Sequence, residues 1–292
     1  MFKSIKSFFL ENLKEVIVVL LILLTILIYF RVFSIDQSKL QVIFMDIGQG
    51  DSILIKSPSG NKVLVDGGPK NNLSKALSRN LYFWQRDIDI LIVTNPDRDH
   101  FEGFIPLIDS YKIGLFIKPE VTALENPAYK DLTDKIKNKG IKTITALSGQ
   151  KINIGGGAFI EIIFPDRVGI ESISHNQGSI VSMLSYKDQK VLLTGDSTEN
   201  IEKYLVLNYG QRLKADILKV AHHGSKTSSS DVFIKTVDPK WAVISAGKDN
   251  QFGHPHKEVL DRFKENNIEV LGTYDIGDIV FENSGGGFYR KK

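Results

Sequence analysis

Residues 87–104 read DIDILIVTNPDRDHFEGF. The apolar run Ile88–Val93 gives way at Thr94-Asn95-Pro96, and the chain then releases Asp97, Asp99 and His100 in quick succession. A short continuous apolar run bounded by an Asn-Pro turn reads as a buried strand. A strand end fixes the backbone and the loop beyond it aims the side chains, so binding and catalytic groups collect there. A plain role competes for Asp99, which would also serve to cap a helix starting near His100.

Working outward, the same pattern recurs. LLTGDS releases Asp196 after an apolar run, and KVAHHGSKTSSS releases His222 and His223 after another. SHNQGS carries His175, and GHPH carries His254 and His256. All six histidines of the chain fall in these stretches. Asp196 reads equally as a turn former beside Gly195, His175 as a surface histidine, and His256 as a residue outside any ligand set. Several strands that each end on Asp or His beside a glycine nonetheless suggest one shared site. Its mixed nitrogen and oxygen donors suit zinc, manganese or iron better than calcium or magnesium.

The composition permits a sizeable core: 292 residues, 42% hydrophobic and 24% charged. A net charge of +3 is mildly basic and decides little about partners. The chain has no cysteine, which excludes thiol catalysis, cysteine zinc sites and disulfides.

VIVVLLILLTILIYF, residues 16–30, is apolar on every face, and only Thr25 interrupts it. With Val32 and Phe33 the run reaches the length of a spanning helix, Arg31 snorkelling to the surface. The following RVFSIDQSKL has no small-x-small cleavage site, so an uncleaved anchor is expected rather than a signal peptide. Lys3, Lys6 and Lys14 precede the run, and Arg31 and Lys39 follow it. The positive-inside rule then expects a single-pass protein of the cytoplasmic membrane with its C-terminal part outside.

Beyond the anchor, strands are expected at 40–45, 52–57, 62–68, 88–93, 113–117, 141–145, 179–186, 190–194, 215–220 and 241–245. Helices are expected at 72–83, 100–107, 126–139, 199–209, 229–237 and 257–266. Two β-rich halves with intervening helices predict two packed sheets with helices outside. The expected organisation is an anchor over residues 1–35 and one domain over 36–292.

Five stretches carry a more specific likeness: VIFMDIGQGDSILIKSPSGNKVLVDGG, DIDILIVTNPDRDHFEGF, NQGSIVSMLSYKDQKVLLTGD, DILKVAHHGSKTSSS and GHPHKEVLDRF. In this order they resemble the metallo-β-lactamase fold superfamily, and most closely the hydrolase domain of ComEC-type competence proteins. The resemblance implies an α/β fold, an αβ/βα four-layer sandwich preceded here by one transmembrane helix. It also implies metal-dependent hydrolysis at one edge between the sheets. The superfamily pattern HxHxDH, or HxDxDH, falls on Asn95, Asp97, Asp99 and His100. By that likeness Asp97, Asp196 and His175 would hold a first metal, and Asp196 would bridge to a second. Asp99, His100 and either His222 or His223 would complete the second site, His222 being preferred as the nearer to its strand. Asp66 would support the metal site from behind.

Asn95 departs from the pattern, because a neutral amide is a poor zinc ligand. One tight and one weak divalent site, zinc or manganese, is therefore expected. Asp97, Asp99 and His100 are the catalytic candidates. Asn95, Asn176, Ser225, Lys226 and His254 are the substrate-side candidates, and the GSKTSSS amides are a candidate phosphate cradle. The same loop reads as a polar turn capping the next helix. A phosphodiester, DNA above all, is the expected substrate. A non-nucleic envelope ester, or a silent binding module, is the alternative.

Overall fold

The computed structural model describes residues 12–33, 39–120, 123, 125–166 and 174–291. Its contacts divide the chain into two units, Met1–Gln37 and Ser38–Lys292.

Among the described residues the first unit holds one helix of 21 residues, Leu13–Phe33. Its described apolar side chains from Ile17 to Ile28 are exposed. Thr25 turns its hydroxyl inward and donates to the Leu21 carbonyl at 2.7 Å. The expected span Val16–Phe33 runs into residues 29–33, whose side chains lie outside the described residues. Among the described residues no helix is long and apolar enough to cross a membrane.

In the second unit, runs rich in valine, isoleucine and leucine pair into two sheets, as β-branched side chains on a pleated surface favour. The first sheet contains β1 (Leu40–Phe44), β2 (Ile53–Lys56), β3 (Lys62–Val65), β4 (Asp87–Ile92), β5 (Lys112–Lys118) and β6 (Lys142–Thr145). The second contains β7 (Lys151–Gly155), β8 (Ala158–Phe164), β9 (Val181–Tyr186), β10 (Gln189–Leu193), β11 (Ile217–Lys219), β12 (Trp241–Ile244) and β13 (Glu269–Gly272). The chain then returns to the first sheet with β14 (Ile279–Asn283) and β15 (Tyr289–Lys291). The strand orders are β15-β14-β1-β2-β3-β4-β5-β6 and β13-β12-β11-β10-β9-β8-β7.

Three apolar clusters make this a four-layer sandwich. Val42, Phe44, Ile55 and Val65 of the first sheet meet Ile160, Leu184, Val191 and Val243 of the second in the central layer. Leu77, Phe104, Leu107, Tyr129 and Leu132 cover the outer face of the first sheet. Leu205, Phe233, Ile234, Val259 and Phe263 cover the outer face of the second. The helix expected from His100 to Leu107 is instead two short helices, Arg98–Phe101 and Phe104–Ser110, interrupted at Glu102-Gly103. At the interruption the Gly103 amide donates to the Gly68 carbonyl rather than within the helix, and the approach is so close that a Cβ on Gly103 would lie 2.0 Å from the Gly67 carbonyl oxygen.

Direction matters for function. β3, β4 and β5 run parallel in the first sheet, and β10, β11 and β12 run parallel in the second. Each of these strands ends in a loop at one of the two sheet edges, where ligands of α/β folds usually bind. Leu184, fully buried between the sheets, tests the packing. Leu184→Ala should cost about 2–5 kcal/mol, seen as a lower urea midpoint at unchanged slope. A midpoint unmoved by the change would show that the two sheets do not pack there.

Candidate metal centre

The loops that end β3, β4, β10 and β11 bring Asp66, Asp99, His100, Asp196 and His223 together. Asp51, just before β2, joins them. Asp66 sits in a left-handed conformation at φ 58°. Its carboxylate accepts from the Thr94 amide and hydroxyl and from His100 Nδ1, the last at 2.9 Å. That bond fixes a proton on Nδ1 and leaves Nε2 of His100 for the site. His223 is held in the same way: its Nδ1 donates to the Ser245 carbonyl at 2.9 Å.

Both Nε2 atoms therefore point into the cluster. His100 Nε2 lies 3.1 Å from Asp196 and 4.0 Å from Asp99. His223 Nε2 lies 3.2 Å from Asp99 and 3.7 Å from Asp196. Neither makes a hydrogen bond, although both are fully buried, and Asp196 Oδ1 is buried without a partner as well. Buried polar atoms are rarely left so. Donors that converge on a point between them, rather than on one another, suit a cation. Asp99, His100 and His223 form a set whose donor atoms lie within 4.8 Å of each other, and Asp51, Asp196 and His223 form a second. The residues fit a divalent metal with nitrogen and oxygen ligands.

The electrostatics agree. Burial pushes His100 down, yet Asp196, Asp66 and Asp99 overcome it and raise the imidazole well above its usual range. Burial likewise opposes the charge on His223, and Asp196 and Asp51 raise it to about 10. Burial works against the Asp196 carboxylate, but His100 and His223 hold it well below the usual carboxylate range. Asp66 is the exception, raised because burial outweighs its contact with His100.

Several expected assignments change. His222, preferred by its position, is half-buried and sits 3.9 Å from Asp196, its Nδ1 3.2 Å from the Thr227 hydroxyl. His223 faces the cluster, because consecutive left-handed residues at φ 49° and 53° turn the second ring inward. Asp99 does not cap a helix: Asp97 precedes the helix Arg98–Phe101, and Asp99 lies within it.

The expected first site is not assembled as a ligand set among the described residues. Asp97 and His175 form a pair, Oδ1 to Nδ1 at 2.6 Å, that joins no set of three. Asn95 is no substrate contact. It is 0% exposed, its amide nitrogen donates to Asn176 and Ser179, and its oxygen accepts from the Asp97 amide at 2.9 Å. It shapes the loop, with its oxygen turned to the Asp97 amide.

The expected phosphate cradle is not formed, because amides of the GSKTSSS loop are engaged within the protein. The Ser229 and Ser230 amides donate to the buried Glu202 carboxylate, and the Lys226 amide donates to His256. Ser225 Oγ is engaged with Thr227. The Lys226 side chain is exposed and Asn176 half-buried. The buried Nδ1 of His254 is unpartnered. Burial and the neighbouring His223 and His222 lower the His254 imidazole to about 4, so it is neutral near pH 7.

Two residues escaped sequence reasoning. Asp51 and Lys219 are buried, with Lys219 Nζ 2.5 Å from Asp51 Oδ2. Asp51 in turn lies 3.4 Å from His223 Nδ1. A signal existed for both: Asp51 ends the turn IGQGD, and Lys219 is a charge inside the apolar stretch DILKVA. The close approach is set by Gly50, at φ 122°, where a Cβ would meet the Asp99 carbonyl oxygen at 2.3 Å.

A two-sheet sandwich with a histidine–aspartate cluster at its strand ends defines a class, and the sequence agrees. The family described as the metallo-β-lactamase superfamily matches residues 45–248, and the chain belongs to it. Its homologues are competence proteins. It is 29% identical to ComE operon protein 3 of Bacillus subtilis over 88% of this chain and 35% of that protein. It is 27% identical to competence protein ComA of Neisseria gonorrhoeae over 91% of this chain and 36% of that one. The chain thus spans about a third of the length of these relatives. Among solved structures, CmlA, a diiron β-hydroxylase from Streptomyces venezuelae, shares the fold with a TM-score of 0.54 at 12% identity, over 86% of this chain and 54% of that one. Zn²⁺-bound PqqB from Methylobacterium extorquens does so with a TM-score of 0.50 at 12% identity, over 77% and 85%.

Two measurements test the centre. His223→Ala should weaken Mn²⁺ or Zn²⁺ binding by more than the roughly 10–100-fold typical of losing a support behind a ligand, and His222→Ala by less than about 10-fold. Equal losses would return His222 to the ligand set. The second is pH. His223 is raised to about 10 in the metal-free protein, so its contribution to stability is complete below about pH 6.5 and is lost as pH rises toward 10. Metal must displace that proton. Affinity should therefore rise with pH below 10, with about one to two protons released per metal at pH 7. Calorimetry in buffers of different ionisation heat would detect this, and binding without proton release would exclude His100 and His223 as ligands.

Proposed function

We propose that the chain is a metal-dependent hydrolase of phosphodiesters, DNA foremost, held at the outer face of a cytoplasmic membrane. The observation that carries this reading is the pair of buried, unpartnered imidazole nitrogens of His100 and His223, converging with Asp99 and Asp196. A divalent ion held there, zinc or manganese, would polarise a phosphoryl oxygen and acidify a water so that it ionises near neutral pH.

The chain's own residues do the rest. Asp66 and Ser245 lock the two rings so that both Nε2 atoms face inward. Asp97 pairs with His175 Nδ1 at 2.6 Å, and both side chains are partly open to solvent. The exposed Lys226 ammonium would meet a phosphate. A cavity of about 280 Å³ near this segment is lined by Ser174, Gln177, Thr198, Glu199, Asn200 and Thr227.

The competence relatives support nucleic acid as the substrate class. The anchor rests on the helix Leu13–Phe33: apolar side chains exposed around it, its one threonine satisfied internally, and lysines concentrated before it. A second reading, a module that holds substrate without cutting it, is favoured by Asn95, whose oxygen is already spent within the loop.

Linear single- and double-stranded DNA with residues 36–292 and Mn²⁺ or Zn²⁺ separates the two. Metal-dependent cleavage is expected, and it should fall by about 100-fold or more in His100→Ala and in Asp196→Ala, the scale of losing one transition-state stabiliser. DNA left intact by protein with metal bound would overturn the nuclease reading in favour of the holding module or another ester.

A further inference from the structure

The stretch LYFWQR, residues 81–86, joins the helix Leu73–Asn80 to β4. Three consecutive large aromatics in it stand in solvent: Tyr82 is 46% exposed, Phe83 80% and Trp84 48%. Scattered exposed apolar residues are ordinary, but adjacent ones mark a contact surface.

The loop is built to present them. Tyr82 and Trp84 stack at 4.7 Å and 5°, and Phe83 meets Trp84 edge-on at 4.9 Å. The Tyr82 amide donates to the Gln85 side chain, the Gln85 amide donates to the Tyr82 carbonyl, and Arg86 Nε donates to the Phe83 carbonyl. Lys56 ties the loop to the sheet by donating to the Asn80 carbonyl at 2.6 Å. These bonds brace the loop from within, and ring surface faces outward. Exposed cations flank it: Arg86, packed 5.1 Å from the Tyr111 ring, and Lys112 at the start of β5. The nearby carboxylate of Asp87 is paired with Lys62 at 2.7 Å.

The position of the loop supplies the occupant. β1 pairs antiparallel with β2, β2 antiparallel with β3, and β3 parallel with β4. β1 and β4 therefore start at the same edge of the sheet, opposite the edge where β4 ends at the metal ligands. β1 begins at Leu40, seven residues after Phe33 closes the apolar helix. Six residues, 34–39, join the helix to β1, a tether that reaches no more than about 25 Å when fully extended.

We propose that Tyr82, Phe83 and Trp84 insert among the headgroups of the same bilayer that takes the helix Leu13–Phe33, and so hold the domain with its metal edge turned away from the membrane. This rests on the anchor proposed above. Indole and phenol rings favour the membrane–water interface, and Arg86 and Lys112 match its phosphates. A single-stranded nucleic acid is the poorer fit. The Tyr82 and Trp84 rings each give one face to the other, which halves what they offer to bases, whose stacking needs free faces.

The chain has only two tryptophans, and Trp241 is 6% exposed within the domain. The test is the full chain in phosphatidylcholine–phosphatidylglycerol vesicles with brominated acyl chains, which quench indoles at the bilayer. Vesicle flotation after alkaline extraction reports the anchor separately. The expected result is flotation with loss of the Trp84 emission. Quenching should vanish in Trp84→Phe, persist in Trp241→Phe and weaken in the double variant Tyr82→Ser, Phe83→Ser. Flotation with Trp84 unquenched overturns the docking and leaves the anchor. Absence of flotation overturns the anchor and the docking with it. A Trp84 signal that answers to single-stranded DNA or to protein concentration, and not to brominated lipid, reassigns the patch to nucleic acid or to a second copy.

Discussion

The structure turns on buried charge. Asp51, Asp66 and Asp196 are out of water between the two sheets, with His100, His223 and Lys219 among them. Taking carboxylates from water is costly unless opposite charge and hydrogen bonds replace the solvent. Here the replacement comes from three directions. Lys219 reaches Asp51 from β11, Thr94 and His100 reach Asp66, and both imidazoles face Asp196. A divalent ion carries the same charge as two imidazole protons. Exchanging them would leave the charge of the cluster unchanged, and this is how one set of side chains can be tolerated both with and without metal.

Much of this was legible in the sequence, because strand ends announce themselves. Runs such as IDILIV and KVLLT stop at polar turns, and the groups released beyond them are those that meet in space. The supporting role of Asp66 followed from the family likeness and agrees with its bond to His100. What escaped depended on backbone geometry. Whether His222 or His223 turns inward is decided by two left-handed residues in succession, which spacing along the chain does not reveal. The GSKTSSS amides have the composition of an anion cradle, but a carboxylate from another helix, Glu202, already occupies Ser229 and Ser230. Lys219 was missed because a lysine within an apolar strand reads as an edge charge until its partner, Asp51, is seen.

Asn95 shows how one substitution redistributes a site. At this position a histidine would offer a ring nitrogen to a metal. The asparagine instead bridges its own loop to the Asp97 amide and to the segment holding Asn176 and Ser179. Asp97 and His175 are left to pair with each other. The gain is a loop tied across the two sheets, since Asn95 follows β4 and Ser179 precedes β9. Asp99 and His100 follow on the same turn, so the tie also bears on the segment that carries them.

Three of the eight described non-glycine residues with positive φ lie at this site. Asp66, His222 and His223 all hold positive φ, a conformation that costs each non-glycine residue of order 1–3 kcal/mol. Such strain persists only where surrounding contacts over-determine it, and each of these residues is pinned by its side chain: Asp66 to Thr94 and His100, His222 to Thr227, His223 to Ser245. Those bonds fix ring orientation at the expense of stability. A ligand that binds only the assembled cluster returns stability by mass action. Fold and metal are therefore coupled in one direction by geometry and in the other by energy. The sandwich brings the strand ends close enough to crowd charge together, and a bound cation would relieve the crowding that the sandwich creates.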